Sequence, residues 1–422
     1  MASAPASKSN LRNCRPMAMV CSTRTLVPVE TVKETAGGGS RPSFRRDIQG
    51  LRAVAVLLVI ANHAGAPGMA GGYIGVDVFF VISGYVITQL LLRETTKAVG
   101  LGLLDFYSRR IRRIVPAASL TLVGTVAVAA IVLGKHLNPD LPGDVRWASL
   151  FAGNFRLIST GSNYFVPGIF PSLITQFWSL AVEEQFYLCF PLLVFVTAAA
   201  ARRDRHLPVL RTVLVVAIAA SAAWSIHLSA ADPTPAYYSP FTRFWELGLG
   251  CLLATATVGP PSRTIRASRL AALVGLVLVV VALVTLGPTS TYPGAAAWLP
   301  CGAAALLIWA GAGAEPTSAT RLLGIRPLVY LGDLSYSLYL FHYVWLKLPE
   351  QLASPLVGWG WRSVELFGTL VTAAASYHFI ENPIRHSRRL AADRVAIGLV
   401  LLVSIAASWT ATVIVVHAAG VS

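Results

Sequence analysis

His63 closes the stretch Arg52-Ala53-Val54-Ala55-Val56-Leu57-Leu58-Val59-Ile60-Ala61-Asn62-His63, eleven positions after Arg52. At 3.6 residues per turn this is close to three helical turns, so both side chains leave one face about 16 Å apart. The residues between them are apolar, and an ionisable group at membrane depth is a functional candidate by default because lipid does not solvate it. A neutral imidazole can remove the proton of a hydroxyl as that hydroxyl attacks a carbonyl. The alternative is a hydrogen-bonded packing histidine between helices. Small and polar residues follow: Gly71, Gly72 and Gly75, then Asp77, Phe79, Phe80, Ser83, Gly84 and Tyr85. A third group, Arg109, Arg110, Arg112 and Arg113, puts four arginines in five residues. That density exceeds what membrane orientation needs and suits charge-assisted, bidentate bonds to phosphates. Glu183 and Glu184 follow Trp178 in another apolar stretch. Adjacent helical residues point about 100° apart, so one glutamate is expected to face a cavity and the other to pair with an arginine such as Arg110 or Arg113. His342, among Tyr336, Tyr339 and Tyr343, reads as a packing histidine rather than a second base. His378 and Glu381 have metal-like spacing without further ligands, so no metal is expected.

The elements that must position these residues are membrane helices. Of 422 residues 55% are apolar and 13% charged, with a mean hydropathy of +0.64. A soluble domain would carry about 25% charged residues. A soluble enzyme, a disordered chain and a disulfide scaffold are excluded, and a multi-pass, all-α membrane protein is predicted. Apolar blocks predict eleven spans, at 53–70, 73–92, 115–134, 177–200, 212–230, 244–257, 270–287, 296–313, 328–346, 363–381 and 395–417. With the N-terminus in the cytoplasm, 28 of the 34 Lys and Arg residues fall inside. Six fall outside: Lys135, Arg146, Arg156, Arg243, Lys347 and Arg362. The positive-inside rule then sets the N-terminus in and the C-terminus out. The net charge of +15 reflects topology, and nucleic acid is not expected as a partner.

Cys14, Cys21, Cys189, Cys251 and Cys301 show no metal or redox spacing, and no repeat of fixed period occurs. Residues 1–40 are polar and basic, predicting a disordered cytoplasmic tail in which Met17 or Met19 is an alternative start. The membrane domain is expected over 41–390 and the last span with a short exterior end over 391–422. The outer loop 135–176 carries Pro139, Pro142, Pro167 and Pro171 with Trp147, Phe155, Tyr164 and Phe165. It either covers an entrance or forms an interfacial hairpin with an aromatic belt.

Five strings occur in one order: Arg52 with His63; Gly75-Val76-Asp77-Val78-Phe79-Phe80-Val81-Ile82-Ser83-Gly84-Tyr85; Phe106 to Pro116; Trp178 to Tyr187; and Tyr330 to His342. In that order and spacing the chain, from about Arg45 to Pro383, resembles the acyltransferase-3 family of bacterial integral membrane O-acyltransferases. The resemblance implies a ten-helix unit in the bacterial cytoplasmic membrane. Its expected donor is cytoplasmic acyl-CoA, usually acetyl-CoA. The expected acceptor is an exterior hydroxyl of a glycan, an envelope lipid or a secreted small molecule. It also implies His63 as the base, Arg52 in the same motif, and Arg110 with Arg113 at the donor, the register Arg109 with Arg112 remaining open. Asp77, Glu183 and Glu184 are carried over as catalytic candidates, and Ser83, Tyr85 and Trp178 as substrate-binding ones.

A transporter or flippase of an envelope precursor is the alternative, against which no paired Gly/Pro-broken helices are seen in two halves. Many family members continue past an eleventh span into an exterior hydrolase-like domain of the Ser-Gly-Asn-His type. Four residues follow Ala418 here. The expectation is that the acceptor enters directly beneath loop 135–176, the alternative being a separate exterior protein of that type.

Overall fold

The computed structural model describes residues 44–95, 102–165, 172–201, 205–258, 264–352 and 358–419. The tail at 1–40 with Cys14, Cys21, Met17 and Met19, the loop prolines Pro167 and Pro171, and the end past 419 lie outside them.

No strand occurs among the described residues. The helices are α1 (Arg46–His63), α2 (Gly75–Thr95), α3 (Leu103–Leu133), α4 (Leu141–Ser149), α5 (Gly153–Ser159) and α6 (Phe177–Ala200). They continue with α7 (His206–Ala231), α8 (Pro233–Tyr238), α9 (Pro240–Ala256), α10 (Ile265–Thr285), α11 (Trp298–Gly311) and α12 (Ser318–Leu323). The last are α13 (Arg326–Lys347), α14 (Trp359–Ser376), α15 (Asn382–His386), α16 (Arg388–Ala392) and α17 (Arg394–Ala419). Each predicted span overlaps a helix, and six stretches are long and apolar enough to cross a membrane by length and composition: Gly72–Glu94, Leu103–Leu133, Phe177–Ala200, His206–Ala231, Ile265–Thr285 and Arg394–Val415. In α10 the exposed residues include Leu270, Leu273, Val277, Val280 and Val284, recurring every three or four positions. An outward apolar stripe is the reverse of a soluble helix and matches contact with lipid. The molecule is an all-α polytopic membrane protein.

Several boundaries differ from the sequence expectation. α1 begins seven residues earlier than predicted and ends at His63, because Gly65 and Gly68, at φ 69° and 73°, turn the chain out of the helix. His63 is therefore the last residue of its helix rather than a mid-span one. α9 begins at Pro240, with the Ser239 hydroxyl accepting from the Phe241 N–H at 3.3 Å. Arg243, counted above with the outer charges, thus sits inside α9 and is 1% exposed. Glu381-Asn382-Pro383 does not simply stop a helix: Tyr377–Glu381 forms a π-type turn leading into α15. The Glu381 carboxylate there accepts from the Ser337 hydroxyl of α13 at 3.0 Å.

Close helix approach brings the polar residues together. α2 packs on α9 and α1 on α13. At the first crossing a Cβ on Gly84 would strike the Leu247 backbone, and one on Gly250 the Val81 backbone. Glycine is required where two helix backbones meet this closely.

Candidate active site

α1, α2, α3, α6 and α13 line a cleft. Its polar lining is Arg52, Ser83, Arg110, Arg113, Glu183 and Glu184, with Tyr187, Ser335, Tyr336 and Tyr339. Arg52 donates from Nε and Nη2 to Ser335 Oγ at 3.1 and 2.9 Å. Pro116, inside α3, lacks the N–H that would meet the Arg112 carbonyl, so the arginine stretch lies where helical bonding is already interrupted. Arg110 lays its guanidinium 3.6 Å from the centre of the Tyr187 ring. Among the described residues neither Arg110 nor Arg113 forms an ion pair, and Arg110 Nε is buried without a hydrogen-bond partner. Of the four clustered arginines of α3, 110 and 113 line the cleft. Arg109 instead pairs with Glu94, and Arg112 donates to the backbone oxygens of Arg385 and Ser387 at 3.3 and 3.2 Å.

Both glutamates line this cleft, contrary to the expectation that only one would. Glu183 accepts from the hydroxyls of Ser83, at 2.5 Å, and Tyr187. Glu184 keeps a buried oxygen without a partner, and neither carboxylate makes an ion pair with Arg110 or Arg113 among the described residues. Arg110 Nε thus lies beside this cleft without a partner, and a buried charge gains most from a partner of opposite sign.

His63 is not on the cleft. Phe79 and Tyr339, which line the cleft, also pack against the buried cluster that contains Val56 and Ile60, the α1 residues between Arg52 and His63. Beyond them, His63 Nδ1 lies 2.9 Å from His342 Nε2 and His63 Nε2 lies 2.7 Å from the Tyr164 hydroxyl. Tyr343 stands perpendicular to the His63 ring at 5.0 Å. The stretch expected as an outer loop contains α4 and α5, and its Tyr164 and Phe165 pack against Tyr237 and Tyr73.

Other predicted residues lie elsewhere. Asp77, 1% exposed, accepts from Arg243 Nη1 at 3.0 Å, and Glu246 accepts from the same nitrogen at 3.0 Å. Trp178 belongs to the aromatic wall of this cluster, 5.3 Å from the Arg243 guanidinium, with Tyr237 at 4.7 Å and Tyr292 at 5.4 Å. Asp77, Glu246 and Cys301 approach as three metal ligands would, but Arg243 already supplies the positive charge between the carboxylates. Tyr85 takes a hydrogen bond from Arg45 at 3.2 Å, away from cleft and histidines. His378 lies against the Tyr330 hydroxyl at 3.1 Å while Glu381 faces Ser337, so the two do not share a ligand.

Sequence reasoning set aside His342 and passed over Ser335 and Tyr339 as site residues. Their spacing of four and three along α13 marks one helix face, a signal that was available. Tyr164, in a loop, had no such signal.

The structure is that of a multi-pass helical membrane protein with an arginine-bearing cleft and a histidine pair beside Tyr164. The sequence model for the acyltransferase domain matches residues 45–381, and the chain belongs to this acyltransferase family. Among its relatives is a Bacillus subtilis protein provisionally named a peptidoglycan O-acetyltransferase, 35% identical over 80% of this chain and 54% of the relative. The peptidoglycan O-acetyltransferase OatA of Listeria monocytogenes is 31% identical over 80% of this chain and 55% of its own length. The O-acetyltransferase OatA of Staphylococcus aureus is 31% identical over 82% and 58%. The chain thus spans just over half the length of these relatives. No solved structure matches it.

Proposed function

We propose that this enzyme moves an acyl group, acetyl first among them, from acyl-CoA on the cytoplasmic side of a bacterial cytoplasmic membrane to a hydroxyl of an envelope glycan. The names of the relatives support acetyl and point to peptidoglycan as the acceptor class. The observation that carries the reading is the placement of Arg52 and His63 on α1, Arg52 within the helix on an arginine-lined cleft and His63 at its C-terminal end, hydrogen-bonded to Tyr164. Acyl-CoA supplies the activated thioester. Arg110 and Arg113 hold its phosphates, and Arg52, fixed by Ser335, lines the way toward His63. The thioester covers about 16 Å along α1 and passes Phe79 and Tyr339. His63 takes the proton of the acceptor hydroxyl as its oxygen bonds to the acyl carbon. The carbon–sulfur bond breaks, and the departing thiolate receives the proton from His63.

The acceptor reaches His63 directly, beneath the loop that carries Tyr164. Purified chain in lipid vesicles, with labelled acetyl-CoA on the Arg110 side and a peptidoglycan fragment on the other, tests this. Acetylated fragment is expected without another protein. His63→Ala is expected to lose about 10²- to 10⁴-fold in rate while inserting normally. A loss below tenfold would leave His63 a packing residue. Activity only after an exterior hydrolase-like protein is added would overturn the direct route. Passage of unacetylated fragment without acetyl transfer would make the chain a transporter.

A further inference from the structure

The hydrogen-bond partners of the histidine pair determine where its protons sit. His342 Nδ1 lies 2.7 Å from the Tyr339 carbonyl oxygen. A carbonyl only accepts, so Nδ1 of His342 carries a hydrogen. Its Nε2, in a neutral ring, then has a lone pair and no hydrogen. That lone pair lies 2.9 Å from His63 Nδ1, which must therefore be the donor. The His63 Nε2 is left as the acceptor, and the Tyr164 hydroxyl at 2.7 Å donates to it. No carboxylate is hydrogen-bonded to either ring among the described residues, which favours neutral rings in a site where His342 is 0% exposed.

The geometry holds this order in place. The rings lie 23° from coplanar with centroids 5.1 Å apart, so Nδ1–H of His63 meets the His342 lone pair edge to edge, near the ring plane. Tyr343, at 90° to His63, fixes the plane of that ring. The Tyr339 side chain is held at its far end by Ser179, at 2.6 Å, and donates to the Gln176 carbonyl at 3.0 Å, anchoring the α13 segment that supplies the carbonyl.

We propose that His342 is a positioning residue for acyl transfer: through the Tyr339 carbonyl it holds the His63 proton on Nδ1 and aims the basic Nε2 lone pair at the place of the Tyr164 oxygen. A hydroxyl arriving there meets a base rather than an N–H. When His63 gains the hydroxyl proton on Nε2, its Nδ1–H bond to His342 tightens, which stabilises the imidazolium as a base-orienting partner does. A neutral imidazole takes the place that a carboxylate fills in better-known histidine sites. This inference rests on the acyl-transfer reading for its consequence, but not for its geometry.

Two variants of similar size separate positioning from packing. His342→Gln keeps a side-chain oxygen able to accept from Nδ1 of His63, whereas His342→Leu fills the site with carbon. Leucine is expected to lower kcat at least tenfold with an unchanged KM for acetyl-CoA, because the arginine cleft is untouched, and glutamine to restore most of the loss. Equal activity of the two variants would overturn the proposal, since a buried packing position should accept leucine at least as well. Histidine-ring ¹⁵N NMR of the wild-type chain, with the His63 signal assigned by its disappearance in His63→Ala, needs no turnover and decides the matter even if His342→Leu fails to fold. A proton on Nδ1 of His63 is expected, and one on Nε2 would overturn the proposal. If the wild-type chain transfers no acetyl group, the functional reading falls, while the NMR result still decides the histidine geometry.

Discussion

Two groups of buried charge, one reached by Asp77 of α2 and one lining the cleft, are built differently. Around Arg243 one guanidinium bonds two carboxylates, three aromatic rings surround it, and Arg243 Nε donates to the Tyr237 carbonyl at 3.0 Å. The cluster is 0–1% exposed at Asp77, Arg243 and Glu246, and none of the three lines the cleft. Around Arg110 and Arg113 the charges face an open volume, hold no ion pair among the described residues, and leave polar atoms unpartnered at Arg110 and Glu184. Both groups satisfy the rule that ionisable residues at membrane depth are functional candidates. Ion pairing separates them: in the first group Arg243 bridges Asp77 and Glu246 and joins α2 to α9, although Glu246 Oε2 is also left without a hydrogen-bond partner, while the second group holds no ion pair among the described residues.

The difference can be broken or sharpened by substitution. The largest effect is expected at the closed cluster. Arg243→Met leaves Asp77 and Glu246 buried without their cation, and folding stability should fall by about 3–5 kcal/mol. Thermal unfolding in detergent checks this. An unchanged midpoint with lost transfer would move the cluster into the working site.

Next is the cleft. Arg110→Gln with Arg113→Gln should shift the unfolding midpoint little, because neither arginine forms an ion pair among the described residues and only the stacking of Arg110 on Tyr187 is lost. It should raise the half-saturating acetyl-CoA concentration at least about tenfold, from the loss of charge-assisted bonds worth about 1.5–3 kcal/mol each. Titration of initial rates with acetyl-CoA measures it. An unchanged value would leave these arginines with a topological role.

The smallest effect is expected at Ser335→Ala, which removes a hydroxyl that accepts twice from Arg52. A net hydrogen-bond contribution of about 0.5–1.5 kcal/mol corresponds to a loss of about two- to tenfold in kcat/KM. A loss matching that of His63→Ala would show that Arg52 acts in the chemistry rather than in guiding the donor.

Much of this protein is legible along the chain. Lipid imposes a local rule, since every spanning segment must bury its own backbone hydrogen bonds, and apolar helix stretches therefore show in composition alone. The eleven apolar blocks each fall on a helix, six of them long and apolar enough to cross a membrane, and the Arg52–His63 stripe survives because eleven residues of one helix keep their phase wherever that helix begins. Arg110 and Arg113 were named from density and resemblance. Their separation from Arg109 and Arg112 required the neighbours, since Glu94 and the 385–387 backbone claim the other two.

What the sequence left undecided are contacts between distant segments. Asp77 was expected at the reaction and instead meets Arg243, 166 positions away. His63 meets His342 across 279 positions, and Tyr164 reaches it from a loop with no periodicity to read. Local composition determines that a segment is a membrane helix and which face is polar. Rotation and packing of the helices against one another decide which polar groups share a space, and there the same residue types became a closed ion cluster in one place and an open cleft in another.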